Sequence, residues 1–331
     1  MSTVYGPVPS WRFGRSLGID VILPPKKCTF NCVYCQLGKT RVQVAGPEEL
    51  GEALVDVDLV LDDLDRVMKR LDLSTVDVVT FSGMGEPTLN PKLGEIAGEV
   101  RKRLADLPLI VLTNSSLFHR ERVRKNLSEF DLIVAKLDAG DEKTFRLVNR
   151  PADENLSLKT IVDSIKKLKE ESNGAVALEV MLLRSEDGKI TNVDGHSLRN
   201  LMNAILSLEP DEVQLEVPYR SPSESFVKPP PQEQMKLISD DLSKALGADK
   251  LRVWGLHDKR GRMVKWLSHE TLEREIVELL KRRPCSAIDV SVSLGTALSA
   301  TKRQLRKMTK KDILTVETLD GEEYYSYQEE P

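Results

Sequence analysis

The chain has 331 residues, 40% hydrophobic and 30% charged, enough for one large α/β domain and a small companion. A formal net charge of −4 argues against a wholesale polyanion-binding surface, while leaving room for a local basic patch. No stretch nears the roughly 18 apolar residues of a membrane span, and residues 1–15 lack a signal-peptide-like apolar run, so the expectation is a cytoplasmic protein with no membrane partner.

In chain order, short β-branched runs alternate with amphipathic stretches. Strands are predicted over 17–23, 76–82, 109–113, 132–138, 176–183 and 212–217. Helices are predicted over 59–71, 91–104, 119–127, 157–171 and 194–208. Six strand–helix units imply a parallel sheet curled into a partial (βα)6 barrel, with chemistry at the carboxyl ends of the strands. After a Pro-rich segment, 219–231, come a helix over 232–246 and a short strand over 251–255. The expected large domain is 1–256.

The expected second domain is 257–331. It reads as helices over 271–283, 286–294 and 299–310, then strands over 313–318 and 322–327 joined at Asp320-Gly321, a strong turn. That order resembles a winged helix-turn-helix. Its third helix carries Lys302, Arg303, Arg306 and Lys307 with no nearby acid, as a helix lying along phosphates would need. The hairpin is acidic, with Glu317, Asp320, Glu322 and Glu323, so protein docking or substrate capping is the alternative.

Three of the four cysteines crowd into Cys28-Thr29-Phe30-Asn31-Cys32-Val33-Tyr34-Cys35, after the first predicted strand and the Pro24-Pro25 break. In a reducing compartment such crowding indicates metal or redox chemistry. Three thiolates at these spacings can hold three corners of a four-iron cluster, leaving one iron open. Structural zinc usually takes four ligands, and the remaining Cys285 lies in another apparent domain. The second predicted strand ends in Ser82-Gly83-Met84-Gly85-Glu86-Pro87, where Gly83 and Gly85 allow close backbone approach and Glu86 offers an acceptor for an ammonium.

Together these motifs resemble the radical S-adenosylmethionine (radical SAM) superfamily. The resemblance implies a radical SAM-type barrel, a [4Fe-4S] cluster on Cys28, Cys32 and Cys35, and S-adenosyl-L-methionine chelating the open iron. It further implies cleavage to a 5′-deoxyadenosyl radical, Tyr34 near the adenine, Glu86 on the methionine amino group, and an external ferredoxin- or flavodoxin-like electron donor. By the same analogy Thr113, Asn114, Lys136 and Asp138 are candidate cofactor contacts at the strand ends. Tyr5-Gly6-Pro7-Val8-Pro9-Ser10 and Gly14-Arg15-Ser16-Leu17-Gly18 look like an archaeal-type Fe–S oxidoreductase subgroup related to wyosine synthases, which act on tRNA. Those enzymes carry a second cluster on earlier cysteines; here none precedes Cys28.

Strand alternation adds Glu179, Gln214 and Glu216 as lumen residues open to cofactor or substrate, with a Lys136–Glu179 salt bridge as the structural alternative. Arg150 and Arg220, each beside a proline in a loop, are candidate anion clamps. Two functions follow: a radical enzyme acting on RNA or another substrate, or an iron–sulfur sensor binding nucleic acid through its C-terminal domain.

Overall fold

Seven short strands run parallel because each is buried on both faces, and β-branched and aliphatic residues fill them. In the computed structural model, which describes residues 1–51, 55–269, 271–319 and 321–328, these are β2 (Gly14–Ile19), β3 (Val78–Phe81), β4 (Leu109–Thr113), β5 (Leu132–Lys136), β6 (Ala175–Met181), β7 (Glu212–Glu216) and β8 (Leu251–Val253). They pair in chain order, and β1 (Val4–Ser10) adds an antiparallel edge next to β2. The result is a curled half-barrel sheet.

Helices α1 (Val57–Met68), α2 (Leu93–Arg103), α3 (Glu121–Leu127), α4 (Glu142–Asn149), α5 (Leu158–Glu171), α6 (Gly195–Leu208) and α7 (Gln232–Leu246) join the strands. Val79, Val111, Ile133, Leu178 and Leu215 on one sheet face share a core with helix residues such as Leu64, Ile96, Ile165 and Ile205. The opposite face begins with a small apolar plug of Val78, Ile110, Val134 and Ala177. Past that plug, the same alternation turns Thr80, Leu112, Lys136 and Glu179 toward a cavity.

The first strand differs from the 17–23 expectation. The sheet releases the chain after Ile19, where the buried Asp20 carboxylate accepts the N–H groups of Ile22 and Met84 and turns the backbone out of register. Strand β1 was not among the predicted strands; it contains Pro7 and Pro9, which an edge strand tolerates. Helix α4 was also missed. Asp141 caps it, accepting from the Thr144 N–H at 2.9 Å.

The C-terminal unit contains α8 (Leu272–Leu280), β9 (Cys285–Ser286), α9 (Ala287–Leu294), α10 (Leu298–Thr309), β10 (Leu314–Leu319) and β11 (Glu322–Tyr327). Its antiparallel strand order is β9-β11-β10. Asp320, expected at the hairpin turn, lies outside the described residues. Val8 of β1 packs in the same cluster as Ile276, Leu280, Val290 and Leu305, so the unit covers the barrel's edge strand. Among the described residues, no helix is long and apolar enough to cross a membrane.

Candidate functional site

Lys27 ties the cysteine segment to the glycine-rich loop after β3. Its N–H donates to the Met84 carbonyl at 3.1 Å, and its carbonyl accepts from the Glu86 N–H at 3.1 Å. This forms an isolated parallel bridge with Gly85. Gly83 and Gly85 hold φ values of +155° and +149°, a region essentially reserved for glycine. A Cβ at Gly83 would lie 2.2 Å from Cγ of Asp20, and one at Gly85 would lie 1.7 Å from the Lys27 carbonyl oxygen. The local sequence therefore folds this way for a steric reason.

One cavity of about 300 Å³ takes in Cys28, Cys32 and Cys35 together with Gly83, Gly85 and Glu86. The Cys28 sulfur faces the Phe30 N–H and Asn114 Nδ2, each at 3.5 Å. Asn149 Nδ2 lies 3.6 Å from the Cys32 sulfur, and Lys26 Nζ lies 3.0 Å from the Cys35 sulfur. Burial pushes the Cys28 thiol up, helped by the Glu86 charge; burial and the Asp138 charge push Cys32 up to about 11. A cation among these sulfurs reverses that cost, since the thiolate is the ligating form. Among the described residues, no three His, Cys, Asp or Glu side chains are gathered closely enough to share a single metal ion.

Glu86 is buried, and burial raises its carboxyl above the usual range despite four donors. Thr113 Oγ1 and Thr88 Oγ1 donate to Oε1 at 2.6 and 2.7 Å, and the Thr88 N–H adds a third bond at 3.1 Å. Among the described residues, only the Asn114 N–H, at 2.7 Å, reaches Oε2. That oxygen retains acceptor capacity.

Sheet register sets the lumen. Lys136 lies directly across from Glu179, which lies directly across from Gln214. Lys136 Nζ forms an ion pair with Glu179 and sits 3.8 Å from Asp138 and 5.0 Å from the Tyr34 ring centre. Burial alone would lower the Lys136 ammonium, but Asp138, Glu179 and Glu216 outweigh it and hold it raised. Asp138 accepts from the Tyr34 hydroxyl at 2.5 Å, Asn149 Nδ2 at 2.8 Å and the Met181 N–H at 2.9 Å. Burial opposes ionisation of Glu179; Arg12 and Lys136 override it and hold the carboxyl low. Glu216, raised by burial and by Glu179, accepts from Trp11 Nε1 at 3.2 Å.

Of the residues predicted from sequence, Tyr34, Thr113, Asn114, Lys136, Glu179, Glu216 and Arg220 line this cavity. Asp138 lies behind it as a buried acceptor. Gln214 is fully buried and accepts from Arg12 Nη1 at 3.1 Å. Arg150, at the left-handed end of α4, pairs with Glu224 at 2.6 Å and is not among the lining residues. Lys302, Arg303, Arg306 and Lys307 form the exposed side of α10, opposite the buried Thr301, Leu305 and Met308.

Sequence reasoning missed Arg12, Trp11, Tyr219, Arg282 and Arg283, all on the cavity wall. Arg12 donates to both Glu179 and Gln214. The one available signal was a lone cation held between two large aromatics, Trp11 and Phe13, whose rings flank it at 5.6 and 5.3 Å.

The chain is 30% identical to the UPF0026 protein MJ1312 of Methanocaldococcus jannaschii, over 98% of this chain and 96% of that one. It is likewise 30% identical to a UPF0026 protein of Helicobacter pylori, over 97% and 96%. Among solved structures, native anSMEcpe with bound AdoMet and the Kp18Cys peptide aligns with a TM-score of 0.48 at 14% identity, over 71% of this chain and 63% of that one. The radical SAM superfamily profile matches residues 22–190, which span the cysteine motif and strands β3 to β6, and the chain belongs to that superfamily.

Proposed function

We propose that this chain is a radical SAM enzyme that cleaves S-adenosylmethionine reductively in the cavity and abstracts hydrogen from a substrate entering beside residues 217–220. The superfamily uses a [4Fe-4S] cluster and S-adenosylmethionine, and the donor set fits both. Cys28, Cys32 and Cys35 would each ligate a different iron, in keeping with sulfurs that share a cavity without crowding around one ion. Bound there, a reduced cluster would supply one electron to the sulfonium of S-adenosylmethionine, whose S–C5′ bond would break to give methionine and a 5′-deoxyadenosyl radical.

The remaining work falls to the chain. Glu86 Oε2 is the acceptor for the methionine ammonium, fixed in place by Thr88, Thr113 and Asn114. Lys136, neutralised by its carboxylates, is a positioned donor for ribose or carboxylate oxygens. Tyr34, pinned by Asp138, presents a ring face beside Lys136 for adenine. An external ferredoxin- or flavodoxin-like protein in the cytoplasm supplies electrons.

The observation that carries this reading is the Lys27–Gly85 bridge, which joins the segment bearing Cys28 to the loop bearing Glu86 on one wall of the cavity. Anaerobic reconstitution followed by dithionite and S-adenosylmethionine tests it. Formation of 5′-deoxyadenosine is expected; a cluster that never turns over and a protein that occupies DNA would favour the sensor reading instead.

For the substrate we put forward RNA. The exposed row Lys302, Arg303, Arg306 and Lys307 on a winged-helix-like 257–331 domain supports it, as does the likeness of residues 5–18 to wyosine synthases. Binding to tRNA should weaken as salt rises, with a shallower slope after charge removal on α10. Salt-independent binding would count against RNA.

A further inference from the structure

Five cations border the cavity, and three have carboxylate partners. Arg12 pairs with Glu179, Lys136 with Glu179 and Asp138, and Arg282 with Asp20 at 3.7 Å. Arg220 and Arg283 do not: among the described residues, neither has a carboxylate within ion-pair distance. Arg220 is buried, 7% exposed, and among the described residues its one hydrogen-bond acceptor is Gln36 Oε1, at 2.8 Å. Arg283 donates to the Pro9 carbonyl at 3.3 Å, and the Asp289 carboxylate acts on it from beyond ion-pair distance. The Nε atoms of both are buried without a hydrogen-bond partner.

The two side chains face common ground. Both act on the Tyr219 phenol and on the Cys285 thiol, lowering each against the effect of burial. The Arg220 guanidinium carbon lies 4.5 Å from the Tyr219 ring centre, and Tyr219 stacks on Trp254 at 4.9 Å with 20° between the rings. The ring pair holds the guanidinium in place by a cation–π contact before anything binds. A buried guanidinium without a carboxylate partner, as at Arg220, is unfavourable, and the planar fork of either arginine matches a phosphate or carboxylate.

We propose that Arg220 and Arg283 form an oxyanion clamp, one arm from the barrel and the other from the C-terminal unit, that grips a phosphate or carboxylate of the substrate. The assignment rests on the radical SAM reading for its claim that the bound group belongs to a substrate. The C-terminal unit is then part of the substrate site, linked to the adjoining loop by the Ser221–Glu317 hydrogen bond.

Equilibrium dialysis of the anaerobically reconstituted full chain, at fixed ionic strength, with labelled inorganic phosphate and labelled acetate tests the clamp. Saturable binding of at least one anion is expected, weakened at least tenfold by Arg220→Gln or Arg283→Gln and untouched by Lys236→Gln on the far helix α7. Arg220→Lys keeps the charge without the fork and should fall between; it serves as the readout if Arg220→Gln melts early. Tighter phosphate identifies a phosphoester substrate, and tighter acetate a carboxylate. No saturable binding by either anion, or binding indifferent to both arginines, overturns the proposal. Uncoupled 5′-deoxyadenosine formation, measured on the same samples, reports separately on the cofactor reading.

Discussion

Lys27 and Gly85 meet backbone to backbone, so the segment that carries Cys28 and the loop that carries Glu86 form one unit. No side chain at position 85 fits this contact, because a Cβ would lie 1.7 Å from the Lys27 carbonyl oxygen. Gly85→Ala should separate the two segments. The expected result is a stability loss of at least about 1–3 kcal/mol, the usual cost of backbone strain, together with lower iron content per chain. Gly188→Ala, at a positive φ with open space around it, is the control. Equal behaviour of the two variants in thermal melts and iron assays would refute the coupling.

The four cysteines divide into two kinds. Cys28, Cys32 and Cys35 border the cavity, whereas Cys285 is fully buried in the core of the C-terminal unit. Replacing any one of the first three by Ser should abolish stable iron and sulfide incorporation and with it 5′-deoxyadenosine formation. Cys285→Ala should keep the full iron complement and lose only about 1–2 kcal/mol of packing. Iron and sulfide analysis after anaerobic reconstitution distinguishes the groups; loss of iron in Cys285→Ala would contradict the division.

The sheet and most of its helices are legible in the sequence because burial on both faces of a parallel strand leaves runs such as Leu109–Thr113 with no polar interruption, while the covering helices keep one polar side. Alternation along the strands likewise suffices to turn Lys136, Glu179 and Glu216 into the lumen. What stays hidden depends on contacts distant in sequence. Arg12 acquires its role only when the β1–β2 hairpin folds over Glu179, 167 residues away. Arg283 reaches the cavity only because α9 and its neighbours pack against Val8. Neither fact leaves a local periodicity to read.

Glu179 is shared by two cations, and this sets an order of effects. Lys136→Met leaves Glu179 with Arg12, and leaves Asp138 with Tyr34, Asn149 and the Met181 N–H. Glu179→Gln takes the ion-pair partner from Arg12, which among the described residues keeps only the Gln214 amide oxygen as a hydrogen-bond partner and the more distant Glu216 charge. Removing one member of a buried pair costs about 3–5 kcal/mol, so Glu179→Gln should approach that loss and Lys136→Met should fall short of it. Urea unfolding midpoints give the ranking. The reverse order would mean that Arg12 does not depend on Glu179.

Asp20 provides a pH test. Burial raises its carboxyl to about 6 from 3.8, outweighing the attraction of Arg282, the N–H groups of Ile22 and Met84, and Lys27. A folded-state value above the unfolded one means that the native chain binds the extra proton between about pH 4 and 6. The favourable contribution is therefore complete below the unfolded value and disappears as pH rises through the folded one. A shift of about two units corresponds to up to about 3 kcal/mol. Glu86 and Glu216 are raised by burial too, so the wild-type curve alone is ambiguous. The informative quantity is the stability of Asp20→Asn minus that of wild type, which should grow with pH across that window and level off above it. A difference that stays constant from pH 4 to 7 would show that Asp20 ionises in the folded chain as readily as in the unfolded one.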